Sequence, residues 1–203
     1  MGKSFVWPRG GPLDEAHAAA LHFDAASGWM RPLRQVFSPN HSQRPAQGAV
    51  ELLVIHAISL PPGHLDTLWI DRLFTNHLDS TVHPYFVNAA QLRVSAHFLI
   101  DRAGALTQYV SLHRQAWHAG RSSFRGRFEC NAFSIGIELV GDGFLPYTEA
   151  QYAALIRLIE KLYAIYPLLV RERVVGHRDI APQRKADPGP SFEWTRLDRA
   201  LTR

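Results

Sequence analysis

A single cysteine, Cys130, stands in the 203 residues. No intrachain disulfide can form, and the fold neither requires nor advertises an oxidising compartment. No window reaches the roughly 18 uninterrupted apolar residues that a membrane span needs. The N-terminal segment lacks a basic patch followed by an apolar stretch of the kind that directs export; Pro8, Gly10, Gly11, Pro12 and the acidic pair Asp14 and Glu15 interrupt it. A cytoplasmic location is the resulting expectation. Lys and Arg never run more than two in succession, and the 22 basic residues are interspersed with 18 acidic ones for a net charge of +4. Such a surface is mildly basic without a stripe, so neither nucleic acid nor a membrane is an expected partner, whereas small acidic ligands are compatible with it. Internal repeats are also absent.

What is present is an apolar share of 46% in a chain the length of one ordinary domain. Residues 1 to about 48 are rich in Pro, Gly, Ser and Gln without a sustained period, which predicts an extension that packs loosely or only in part, the compact unit starting near Ala49. From there AVELLVIH is short, apolar and β-branched, the pattern of a strand buried on both faces, and SLPPG closes it with His56 at the strand end. Residues 67–75 space Leu68, Ile70 and Leu73 like a short helix. Residues 92–100 read as a strand, and the DRAG turn with ALTQYV makes a hairpin with it. In FSIGIEL, Phe133, Ile135, Ile137 and Leu139 alternate with Ser134, Gly136 and Glu138, so one face is apolar and the other is small and then acidic, opening space in front of Glu138. Thr148 with Gln151 predicts a capping box, after which Tyr152, Leu155, Ile156, Ile159, Tyr163 and Tyr166 recur at helical spacing until Pro167. RVVGH gives a last strand ending in His177, then an irregular stretch and a short helix from Ser191. Strands interspersed with helices give an α/β fold, and the hairpin at Asp101 to Gly104 makes its sheet mixed, flanked by helices.

Functional groups in such sheets collect at strand ends and the following loops, where His56, His177 and Asp187 fall. Two imidazoles and a carboxylate leave zinc an open fourth position, the pattern of a catalytic site. Among 11 histidines, and without a short motif such as HExxH, spacing alone does not single out this triplet.

The segments VIHAISLPPG, LRVSAHFLID, WHAG, CNAFSIGIEL and GHRDIAPQRKADPGPSF resemble the N-acetylmuramoyl-L-alanine amidase type 2 family, in the same order and from about Gly28 to Thr202. The resemblance implies a single zinc amidase domain over residues 28–203, with residues 1–27 as an N-terminal extension. It implies one zinc held by His56, His177 and Asp187, with Glu138 as the acid that works with water and Lys185 as a cationic stabiliser. It also implies hydrolysis of the amide between 1,6-anhydro-N-acetylmuramic acid and L-alanine in peptidoglycan recycling fragments, by a monomer whose partner is the anhydro-muropeptide substrate. Arg93 and Trp117 match positions where the family contacts muropeptide, the arginine suiting a carboxylate and the ring a sugar face; Trp117 reads equally as core packing. His97 and His118 read as structural groups or supports behind the ligands, and Pro61, Pro62, Pro188 and Pro190 as stiffeners of the ligand-bearing loops.

Two positions depart from the family pattern. Ala57 stands where Asn usually follows the first histidine, and Glu129 where a second arginine is expected, with Arg127 nearby as a substitute. Two rival readings carry the same motifs: a secreted or phage-type amidase acting on intact wall, which calls for an export signal or wall-binding module, and a muropeptide-binding module that does not cut, which calls for a broken ligand set.

Overall fold

The computed structural model describes residues 21–46 and 48–201. Its centre is a six-stranded sheet built from β1 (Arg34–Gln35), β2 (Leu52–Ile58), β3 (Phe98–Ile100), β4 (Leu106–Gln108), β5 (Ser134–Val140) and β6 (Val174–Gly176). The strand order is β6-β2-β5-β3-β4-β1. Neighbours run parallel except β3 and β4, the hairpin that the DRAG turn forces. The mixed α/β sheet expected from the sequence is therefore the observed one.

Alternation decides which side of the sheet does what. Leu53 and Ile55 of β2 and Ile135, Ile137 and Leu139 of β5 join one apolar cluster with Leu155, Leu158, Ile159 and Leu162 of helix α3 (Glu149–Ile165). Leu52 and Val54 face the opposite side, in a smaller cluster with Cys130, Phe133 and Ile180. Because side chains two apart share a face, His56 continues the Leu52–Val54 row, and Glu138 the Ser134–Gly136 row. A third cluster packs α1 (Leu68–Phe74) and α2 (Phe86–Ala89) against Leu99, Tyr109 and Val140, and so walls the same end of the sheet. Two further short helices follow, α4 (His177–Ile180) and α5 (Trp194–Ala200).

Helix α3 starts as its sequence demands. The Thr148 hydroxyl accepts from the Gln151 N–H at 3.1 Å, and the Gln151 side-chain oxygen accepts from the Thr148 N–H at 3.1 Å, the reciprocal capping box. Gln151 is fully buried, and its amide nitrogen also donates to the carbonyls of Val140 at 2.9 Å and Ile100 at 3.4 Å. One side chain thus caps a helix and ties it to two strand ends.

Four expectations are corrected. The compact unit begins before Ala49: Leu21 and Met30 lie in the core, residues 22–24 pair with 29–31, β1 joins the sheet edge, and residues 41–43 pair with 114–116. The pairings of β1 and of residues 41–43 span large sequence separations, so no local period announces them. The rest of the expected extension, residues 1–20, lies outside the described residues. β3 is shorter than the expected 92–100, because residues 92–97 leave the strand to wall the site. β2 runs two residues past His56 to Ile58, and the C-terminal helix starts at Trp194, not Ser191.

Replacing Gln151 with alanine removes a cap worth about 1 kcal/mol and strips the Val140 and Ile100 carbonyls of a buried donor. Urea unfolding of Gln151→Ala is expected to show a loss of about 2–4 kcal/mol; a loss below ~0.5 kcal/mol would mean that water replaces the side chain without cost.

Candidate metal centre

Register brings the site together. Glu138 of β5 lies directly opposite His56 of β2, so both side chains leave the sheet on one face. On the other flank of β2, Gly176 pairs with Ile55, and the next residue, His177, opens α4 level with His56. The fourth group, Asp187, arrives from the loop after α4. That loop is pinned: the Asp187 carbonyl accepts from Arg178 N–H at 3.0 Å, and the Pro188 carbonyl accepts from the Tyr147 hydroxyl at 2.7 Å. Gly189 has φ +88°, and a Cβ there would sit 2.4 Å from the Gly143 carbonyl oxygen, so only glycine allows the two loops to touch.

Three atoms converge. His56 Nδ1 and His177 Nδ1 are 3.0 Å apart, and each lies 3.1 Å from Asp187 Oδ2. His177 Nε2 is 3.1 Å from the Ala119 carbonyl, which can only accept, so Nε2 carries the proton and Nδ1 offers its lone pair to the triangle. Both imidazoles are buried and Asp187 is half-buried. Burial pushes the His56 imidazole down to about 4, against the opposing pull of Asp187. Burial also works against the Asp187 charge, yet the close approach of His177 and His56 holds its carboxyl far below the usual carboxylate range. Two buried imidazoles and a carboxylate aimed at one point are the donor set of a transition-metal site, and this is the one group among the described residues with that geometry.

Glu138 sits beside the triangle in a different state. Burial, reinforced by the Asp187 charge and opposed by Lys185, pushes its carboxyl well above the ordinary range. Its Oε2 is buried and has no hydrogen-bond partner among the described residues. A cleft of about 580 Å³ opens over all of these groups, lined also by Lys185, Trp117 and His118 and walled by Leu60, Pro62, Tyr85, Leu92, Val94 and Phe144. The space expected in front of Glu138 is real, but the ring of His118 fills the part over Gly136, where a Cβ would come within 2.4 Å of it.

The structure thus gathers His56, His177, Asp187, Glu138, Lys185 and Trp117 at one cleft. Trp117 is half-buried, its indole N–H donating to the Ser42 hydroxyl at 3.1 Å. Arg93 is outside the cleft lining, its guanidinium donating to the carbonyls of Ala90 at 3.1 Å and Leu92 at 3.2 Å. Arg127 does not take the place of the arginine missing at Glu129, because it is paired with Glu51 and lies 4.0 Å over the Phe133 ring. Sequence reasoning missed Phe144, a cleft residue 78% exposed. It reads as part of a Gly/Asp turn, and only the contact between the Gly143 and Gly189 loops brings it to the mouth.

A family model described as N-acetylmuramoyl-L-alanine amidase matches residues 46–190. The 1,6-anhydro-N-acetylmuramyl-L-alanine amidase AmpD of Citrobacter freundii is 50% identical over 175 residues, covering 86% of this chain and 93% of that protein. The same-named protein of Escherichia coli K12 is 50% identical over 170 residues, covering 84% and 92%. A crystal structure of a selenomethionine AmpD derivative superposes with a TM-score of 0.83 at 50% identity, covering 87% of this chain and 98% of that one. AmiD from E. coli, solved with the substrate anhydro-N-acetylmuramic acid-L-Ala-D-γ-Glu-L-Lys, superposes with a TM-score of 0.56 at 34% identity, covering 77% and 60%.

Titration of the metal-stripped chain is expected to end at one divalent transition-metal ion per chain, and His177→Ala to take up none. Full metal content of that variant by elemental analysis would exclude the triangle as the binding site.

Proposed function

The chain belongs to the N-acetylmuramoyl-L-alanine amidase family and is an amidase, and on that premise we propose that it hydrolyses the bond between 1,6-anhydro-N-acetylmuramic acid and L-alanine in peptidoglycan recycling fragments, with one zinc per chain. The observation that carries the proposal is the donor triangle standing beside an unpartnered, buried carboxylate. A module that only binds muropeptide has no use for that combination. His56, His177 and Asp187 would hold the metal; two imidazoles and one carboxylate suit zinc and leave a position free. When bound, zinc supplies Lewis acidity to the amide carbonyl and to water.

The chain's own groups account for the proton and the charge. Glu138, held well above the ordinary carboxylate range, accepts the proton that water loses and passes it to the nitrogen of the departing L-alanine. The ammonium of Lys185, on the cleft wall, stabilises the negative charge that develops on the amide oxygen. The apolar wall lowers the local dielectric and strengthens both interactions. Trp117 offers a ring to the substrate at the cleft, and Arg93 would have to give up its two backbone carbonyls to reach a peptide carboxylate. A recycling amidase of this kind acts in the cytoplasm as a monomer; no helix among the described residues is long and apolar enough to cross a membrane.

Product analysis separates recycling from wall lysis. Anhydro-muropeptide is expected to release free peptide in the absence of chelator only, and intact sacculi to release none; release from sacculi at a comparable rate would assign the chain to wall hydrolysis. Glu138→Gln is expected to keep its zinc and a KM near wild type while kcat falls about 100- to 10,000-fold. More than a tenth of wild-type kcat would remove Glu138 from the chemistry, and lost zinc would make it a ligand.

A further inference from the structure

We propose that a directed series of hydrogen bonds, from the Cys130 carbonyl through Ser134 and His118, fixes the tautomer of His56, making Ser134 and His118 positioning residues that set the affinity of the metal centre. The inference rests on the reading of His56 as a metal ligand.

The direction of every bond follows from the first. Ser134 Oγ lies 2.6 Å from the Cys130 carbonyl, a group that only accepts, so the one hydroxyl proton of Ser134 is committed there. The same oxygen lies 3.0 Å from His118 Nε2 and can now only accept, so His118 Nε2 carries a proton. A neutral imidazole protonated at Nε2 has its lone pair on Nδ1, and His118 Nδ1 lies 2.9 Å from His56 Nε2. The proton of His56 must therefore sit on Nε2, leaving its Nδ1 lone pair facing His177 Nδ1 at 3.0 Å and Asp187 Oδ2 at 3.1 Å. His177 reaches the same state by a shorter route, through the Ala119 carbonyl. Three lone pairs then meet with no proton between them, an arrangement that a cation relieves and an empty site does not.

The fold holds the relay in place. The His118 and Ala119 N–H groups donate to Asn131 Oδ1 at 3.1 and 2.8 Å, which fixes the backbone beneath the ring. The ring itself lies against Gly136, where a Cβ would come within 2.4 Å of its Cγ. The opposite order of protons would require Ser134 to give up the buried Cys130 carbonyl. A ligand imidazole whose second nitrogen is held by a partner is the usual device for orienting a metal site; here the partner is a neutral histidine whose own tautomer is set by a serine.

The test measures zinc affinity of the full chain by competition with a chromophoric chelator, alongside melting of the metal-free protein. His118→Phe keeps a ring over Gly136 but offers no acceptor, and is expected to bind zinc about 10- to 100-fold more weakly than wild type. His118→Gln, whose carbonyl can accept from His56, should recover part of that loss. Ser134→Ala, which frees the ring to exchange tautomers, should weaken zinc by about 2- to 12-fold, the value of one hydrogen bond. In the zinc-loaded wild type, nitrogen–proton correlation spectra should place protons on Nε2 of both His56 and His118. A proton on His118 Nδ1, or wild-type affinity in His118→Phe, overturns the inference while leaving the metal site standing. A variant that melts lower without losing zinc affinity would reduce His118 to a packing role. If the wild-type chain itself takes up no zinc, the metal reading falls and the relay with it.

Discussion

The facing of Glu138, His56 and His177 depends on the parallel pairing of three strands in one register. β5 aligns Glu138 with His56, and β6 ends one residue before His177 at the same level. A shift of β5 by one residue would turn Glu138 into the apolar layer and Ile137 or Leu139 toward the metal position, because side chains alternate with a period of two. That slip is costly on both faces. The α3 side would lose Ile135, Ile137 and Leu139 from its core, and the site side would receive them. The hydrophobic pattern that builds the core therefore also specifies where Glu138 stands relative to the donor triangle.

The register does not supply Asp187, and a different device does. The loop after α4 carries it into place and is then fastened to the loop after β5, through Tyr147 on the Pro188 carbonyl, through the Ser191 hydroxyl on the Gly143 carbonyl at 2.9 Å, and through the contact of Gly143 with Gly189. These bonds satisfy backbone groups that would otherwise be left without partners at the edge of the cleft. The same fastening fixes Phe144 at the mouth. The rigidity of the third donor and the shape of the entrance thus have one cause.

Much of this was legible in the sequence where the signal is local. The alternation in FSIGIEL identified the face that Glu138 shares with Ser134 and Gly136, and Thr148 with Gln151 announced the start of α3. The family resemblance, carried by long motifs, supplied the triplet of His56, His177 and Asp187, which spacing alone could not have separated from the other histidines. What stayed hidden depends on pairs far apart in the chain. The strand at Arg34 finds Thr107, and His41 finds Ala116, through backbone hydrogen bonds that leave no periodic trace in short polar stretches. The role of Gly136 was half visible: small residues imply space, but not that His118 would occupy it. Arg127 was misjudged for the same reason, since nothing in its neighbourhood names Glu51 as its partner.

The surroundings of Glu138 set its proton affinity, which bears on the proposed role as general base. A general base works best when its proton affinity lies near the operating pH, and an exposed glutamate is too weak a base at neutrality. Burial and the nearby Asp187 raise its affinity, while Lys185 lowers it. A cation held by His56, His177 and Asp187 would offset much of the Asp187 influence, leaving burial and Lys185 as the main opposing effects. In the proposed reaction Lys185 would therefore act on both halves from one place. It would keep Glu138 from being protonated too firmly before water is activated, and offset negative charge on the amide oxygen afterwards. Its position two residues before Asp187, on the loop fastened to the β5 turn, gives it a rigid base without burying its ammonium, so the charge remains available at the cleft wall without the desolvation cost that a buried lysine would carry.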